Sequence, residues 1–159
     1  MINLFRRKIN VPSDDIRMYN QDSFYRAFEN DLVFAQDKVI IESPFITTKR
    51  INALLPILTD LRSRGVSITI NTRDPSEHDI DYETQALDAV AILQSMDIQV
   101  LYTAKHHRKL AVIDNTIVWN GSLNILSQND SCEIMWRISS PELANKLLGF
   151  INLKRYTRR

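Results

Sequence analysis

His107-Arg108-Lys109-Leu110-Ala111-Val112-Ile113-Asp114-Asn115-Thr116-Ile117-Val118-Trp119-Asn120-Gly121-Ser122-Leu123-Asn124 decides the fold of this 159-residue chain. Two apolar runs, Leu110 to Ile113 and Thr116 to Trp119, flank Asp114-Asn115. Asp and Asn tolerate the positive φ of a tight hairpin turn better than other side chains do, so the pattern predicts strand, turn, strand. Alternate residues of a strand share a face. His107 therefore points with Lys109, and Ser122 with Asn124 if the chain stays extended past Gly121. Gly121 has no Cβ and would let the backbone approach a bound anion closely. Cys132 to Ile138 reads as a third strand, with Glu133 near its start.

Residue types suggest the chemistry. Neutral imidazole attacks phosphorus well and forms a covalent intermediate that water can break. Glu133 is the candidate for holding the other ring nitrogen of His107 and steadying the cation that develops. Lys109 and Asn124 can bind phosphoryl oxygens as charge builds, and Ser122 can donate a further hydrogen bond. Asp114 sits at the turn on the opposite parity from His107, which assigns it a structural role. His106 also has the opposite parity and reads as a rim residue, with a secondary phosphate contact as the alternative. This set suits attack on a phosphodiester without a metal or other cofactor.

The constellation resembles the phospholipase D superfamily. The superfamily signature reads His-x-Lys, four residues, Asp, six residues, Gly-Ser, then Asn. His107, Lys109, Asp114, Gly121, Ser122 and Asn124 match every gap, and Glu133 matches the Glu that follows in many members. Upstream, Lys38 to Ile46 resembles the first core strand of these domains, and Arg64 to Ile70 resembles a helix-to-strand junction. The resemblance implies an α/β fold, a phospholipase D-like mixed β-sheet flanked by helices on both faces. It spans roughly residues 20–155 as a single domain, with 1–19 an N-terminal extension and 156–159 a basic C-terminal tail.

The chain departs from two-motif members of that family, because it holds one His-x-Lys and no internal repeat. It is similar in this respect to small bacterial endonucleases that dimerise to assemble one site. The resemblance thus implies a homodimer with a shared active site, related by a two-fold axis.

Composition agrees with a globular domain: 44% hydrophobic and 25% charged residues. The net charge of +1 comes from 20 basic and 19 acidic residues and gives no global field for nucleic acid. Basic residues are clustered, however, at Arg6-Arg7-Lys8, between Lys105 and Lys109, and from Lys154 to Arg159. No signal-peptide or bilayer-spanning apolar run is visible. Cys132 is the single cysteine, so no intrachain disulfide can form, and it reads as a small core hydrophobe. These features predict a cytoplasmic protein without stable membrane association. Three scattered His and one Cys show no metal-ligand spacing.

Periodicity places a helix over 21–36, a strand over 38–43 ended by Pro44, and a helix beginning or kinking near Pro56. Gly65 fits the C-cap of that helix, and Val66 to Asn71 forms a strand. Residues 73–81 read as a loop with Arg73 and Asp74 as loop charges. A third helix, the strand 98–102, the motif hairpin and a helix near 143–151 follow. Glu42 and Ser43 end a core strand near the expected site, and Ser43 is a candidate substrate contact.

Three functions compete. The leading one is a metal-independent nuclease cleaving DNA or RNA through a phosphohistidine. Ser43-Pro44-Phe45-Ile46 also resembles domains attached to DNA-processing helicases, which suggests a DNA-processing complex as partner. The second is a phospholipase or phosphatidyltransferase acting on lipid. The third is a catalytically silent binding or oligomerisation module.

Overall fold

The computed structural model describes residues 16–127 and 130–153. The basic segments Arg6-Arg7-Lys8 and Lys154 to Arg159, including the expected tail, lie outside the described residues. In chain order the elements are β1 (Ile16–Asn20), α1 (Phe24–Val33), β2 (Lys38–Glu42), α2 (Thr48–Ser63), β3 (Ser67–Arg73), α3 (Ile80–Ser95), β4 (Gln99–Thr103), β5 (Leu110–Ile113), β6 (Ile117–Gly121), β7 (Ile134–Ser139) and α4 (Pro141–Ile151). A short 3-10 turn, Pro75–Glu77, precedes α3. The strands form one mixed sheet in the order β1-β7-β6-β5-β2-β3-β4. β2 pairs in parallel with β3, and β3 with β4, while the other pairs are antiparallel.

Alternating side chains divide the core into two layers. On one face Val39, Ile41, Ile68, Ile70, Ala111, Ile113 and Trp119 pack with Phe24, Phe28, Leu54, Leu58 and Leu93 from α1, α2 and α3. On the other face Val112 and Val118 pack with Ala144 and neighbouring residues of α4. The α/β architecture with helices on both faces is the one expected. The Asp114-Asn115 turn is also as expected, with φ of 51° and 53°. The Asp114 carboxylate accepts the backbone N–H groups of Gln36 and Asp37 at 2.8 Å each and Lys38 at 3.0 Å. It ties the hairpin to the entry of β2.

Four local expectations require correction. β1 begins at Ile16, inside the stretch 1–19 expected as an extension, and it pairs along its length with β7. It is a five-residue edge strand in which the adjacent Met18 and Tyr19 break the alternation, so periodicity did not reveal it. α2 runs unbroken through Pro56, with Thr47 accepting from the Arg50 N–H as N-cap. Pro56 is exposed, so the carbonyl it frees one turn back can turn toward water. β7 starts at Ile134, one residue after Glu133. Cys132 precedes it and is exposed, not part of the core.

Candidate active site

Antiparallel pairing of β5, β6 and β7 with the parallel strands brings one set of strand ends to a single edge of the sheet. The C-termini of β2, β3, β4 and β6 meet the N-termini of β5 and β7 there. His107 to Lys109 enter this edge just before β5, and Gly121-Ser122 leave it just after β6. Lys109 Nζ stands 3.0 Å from His107 Nδ1 and donates to the His107 carbonyl at 3.0 Å. The two side chains meet, although both residues precede β5 and the contact is made by the Lys109 side chain reaching back along the loop. A charged Lys109 donating to Nδ1 leaves the proton of neutral His107 on Nε2.

Glu133 has a different set of partners from the one its expected role required. Its carboxylate accepts hydrogen bonds from Ser122 Oγ and, at 2.6 Å, from Ser131 Oγ. Its backbone N–H donates to Gln21 Oε1 at 3.0 Å. No hydrogen bond joins Glu133 to His107 among the described residues; the imidazole's partner is Lys109. The Ser122 and Ser131 bonds hold the Glu133 carboxyl below the usual carboxylate range, and Lys109 adds to this. Burial pushes the Lys109 ammonium below the usual lysine range, and the Glu133 charge opposes that shift. The electrostatic link within the site thus runs from Glu133 to Lys109.

Asn124 lies on the loop leaving β6, and its side-chain oxygen is buried with no hydrogen-bond partner among the described residues. Gly121 does make a close approach, but to protein: a Cβ there would stand 2.1 Å from the Ile134 carbonyl oxygen and 2.7 Å from Met135 Sδ. The β6–β7 pairing, not an anion, occupies the space that glycine leaves. Ser43 is wholly buried; its hydroxyl donates to the Phe45 carbonyl at 2.9 Å and accepts the Leu126 N–H at 3.1 Å. It pins the loop after β2 to the loop after β6, so it is a scaffold group and not a substrate contact.

The structure also gives roles to residues that the sequence marked only by position. Glu42 is wholly buried, and both carboxylate oxygens receive the Arg108 guanidinium, through Nε and, at 3.0 Å, through Nη2. Asn71 Nδ2 donates to the same carboxylate at 3.1 Å, and Thr103 Oγ1 donates to Asn71 Oδ1 at 2.9 Å. This network clamps the loop carrying His107 and Lys109 to the ends of β2, β3 and β4. His106 is not a rim residue. It is 3% exposed, with Nε2 4.0 Å from Glu42 Oε2. Burial first, then Arg108, Lys109, Arg73 and His107, push the imidazole down to about 4. Arg73, read as a loop charge, donates from Nε to the His106 carbonyl at 3.1 Å. Its position at the C-terminal end of a parallel strand was the available signal, since ligands gather at such ends. Among the described residues, no group of three or more His, Cys, Asp or Glu is arranged to hold a metal ion.

Residues 29–152 match the family model described as cardiolipin synthase, PLD-like domain. The chain belongs to the phospholipase D superfamily. Among solved structures, it is similar to Nuc from Salmonella typhimurium, described as a phospholipase D family member. That match has a TM-score of 0.67 and 17% identity, covering 85% of this chain and 90% of that one. NucT from Helicobacter pylori gives a TM-score of 0.66 at 18% identity, covering 85% and 92%. Phosphatidylserine synthase from Haemophilus influenzae gives 0.71 at 12% identity, covering 87% of this chain but 36% of that protein. No curated protein matches the sequence. These likenesses share the phospholipase D-like fold described above. Among the described residues of this phospholipase D-like domain, no helix is long and apolar enough to cross a membrane.

Proposed function

We propose that this phospholipase D-like domain is a metal-independent nuclease, cleaving DNA or RNA through a phosphohistidine at His107. Superfamily membership supports phosphodiesterase-type chemistry. The observation that carries the reading is the Lys109–His107 contact at 3.0 Å, at an edge that also gathers Ser122 and Glu133. A phosphate there attracts Lys109 away from Nδ1. The ring proton can then reside on Nδ1, freeing the Nε2 lone pair to attack phosphorus. The P–N bond forms as the P–O bond to the leaving group breaks. Lys109, Ser122 and Asn124 bind the phosphoryl oxygens, and water later breaks the P–N bond. Glu133 acts by keeping Lys109 charged.

The leaving oxygen needs a proton from a second acid. This chain holds one His-x-Lys, so we assign that proton to the partner subunit's His107 in a homodimer. Met18, Ile134 and Trp136 are 66%, 57% and 42% exposed. Met18 and Trp136 are paired in register, and Ile134 directly follows Glu133. This apolar strip beside the site is the contact surface the dimer would cover. A DNA-processing complex remains a proposed setting, and a cytoplasmic location a proposed compartment.

The test incubates the protein with labelled single- and double-stranded DNA and RNA in EDTA, with His107→Ala as control. Acid quenching then maps any adduct. Cleavage with an adduct at His107 is expected, and mixed dimers of wild-type and His107→Ala chains should lose activity. An adduct elsewhere, or activity abolished by EDTA, overturns the mechanism. Full activity at concentrations where only monomer sediments overturns the shared site. Transfer on phosphatidylglycerol with no cleavage of any nucleic acid assigns the domain to lipid instead.

A further inference from the structure

We propose that the rings of Phe45, His78 and Tyr82 form a ledge on which an unpaired nucleobase stacks, next to the phosphate held at His107 and Lys109. This rests on the phosphodiesterase reading only for where that phosphate sits. Phe45 follows β2, while His78 and Tyr82 flank the start of α3. Their centroids are 5.0 Å apart for Phe45–His78, 5.8 Å for Phe45–Tyr82 and 6.3 Å for His78–Tyr82, and their planes are inclined by 36°, 65° and 43°, so a base stacks on one ring, Tyr82, with the other two buttressing it. None of the three belongs to the core clusters, and Tyr82 is 41% exposed.

Arg73 connects the ledge to the site. Its guanidinium lies 5.7 Å from the Phe45 ring centroid, while its Nε holds the carbonyl of His106, the residue before His107. Glu77 ties the same turn to the reactive loop by accepting the Lys105 N–H at 2.8 Å. A strand with its phosphate near Lys109 would therefore have the Arg73–Phe45 pair as its neighbour.

Charge selects the occupant. Asp79, Asp81 and Glu83 surround the first turn of α3. They disfavour an anionic lipid surface lying flat over the rings, whereas a strand can turn its base to the rings and keep its phosphates toward Arg73 and Lys109. A neutral planar group is compatible with both the rings and those carboxylates. A nucleobase is such a group, and every base offers a π-face to an aromatic platform. In a duplex those faces are already stacked on one another, so the ledge favours single-stranded or locally unpaired substrate.

The test measures binding of a labelled oligothymidylate, an abasic strand of equal length and a duplex, in EDTA. The proteins are the wild type, Tyr82→Ala and Tyr82→Phe. Tyr82→Ala should weaken oligothymidylate binding about 5- to 150-fold, the range for loss of one stacked base. It should leave abasic-strand binding unchanged, and Tyr82→Phe should bind as the wild type does. Equal binding by Tyr82→Ala, an equal loss on the abasic strand, no binding by the wild type, or duplex bound as tightly as single strand each overturns the ledge. Selective loss of binding to phosphatidylglycerol vesicles by Tyr82→Ala would assign the rings to lipid and also overturn it. Ring-dependent binding without cleavage of any strand would keep the ledge and remove the nuclease reading. Cleavage with Tyr82-independent binding would do the reverse.

Discussion

Arg108→Ala removes the cation from a carboxylate that has no access to water. Glu42 is 0% exposed and takes two hydrogen bonds from Arg108, so the variant leaves a buried charge held by Asn71 alone among its hydrogen-bond donors. Breaking a buried ion pair from one side costs about 3–5 kcal/mol. The Arg108 side chain is 37% exposed, so water can enter the space it vacates, which points to the lower end, about 3 kcal/mol. At a urea m-value of about 2 kcal/mol/M, the unfolding midpoint should fall by about 1.5 M with m unchanged. Glu42→Gln combined with Arg108→Ala removes the stranded charge. The double variant should therefore be less destabilised than the sum of the two single changes, by about 1–3 kcal/mol. Urea unfolding of all four proteins checks this. Additive losses would refute the reasoning, because they would mean that Glu42 and Arg108 do not depend on each other. Arg108 stands between His107 and Lys109, so folded Arg108→Ala should also turn over more slowly than folded wild type.

Asp114→Ala should cost about 3–4 kcal/mol in urea unfolding, since it deletes three charge-assisted backbone contacts and places alanine at φ 51°; Asp114→Asn should lose about half as much. Glu133→Gln removes the charge that opposes the fall in the Lys109 pKa, so Lys109 should lose its proton at lower pH. The alkaline limb of the pH–rate profile should move to lower pH, with turnover down on the order of 10²-fold; an unmoved limb would detach Glu133 from Lys109. His106 is held near 4 against an ordinary 6.5, so the unfolded chain takes up its proton first as pH falls. Its contribution is fully present above about 6.5 and lost between there and about 4, on the order of 3 kcal/mol. His106→Phe should flatten stability over that interval in pH-dependent urea midpoints.

The candidate site was legible where chemistry depends on near neighbours. His107 and Lys109 meet because they are two residues apart and a lysine side chain is long enough to reach back to the His107 ring and carbonyl. Asp114 and Asn115 turn the hairpin because their own backbone angles allow it. Glu133 was legible as a member of the site but not by its partners. Ser122 and Ser131 each take one oxygen of its carboxylate, and only the close pairing of β6 with β7 puts Ser122 there. Ser43 and Gly121 were correctly placed near the edge, yet packing against Leu126 and Ile134 gives both a scaffold role.

Sequence alone therefore determined the superfamily, the mixed α/β sheet, the motif hairpin and the pairing of His107 with Lys109. Each depends on residue type and spacing over a few positions, where backbone geometry leaves few choices. Tertiary structure decided that β1 joins the sheet, that α2 passes through Pro56, that His106 is buried, and that Arg108 is clamped by Glu42. It also gathered Phe45, His78 and Tyr82 beside Arg73. Glu42 and Arg108 lie 66 positions apart, and no local periodicity relates residues at that distance. Their pairing follows from which strands become neighbours, because a buried charge must take whatever partner the completed sheet brings within reach.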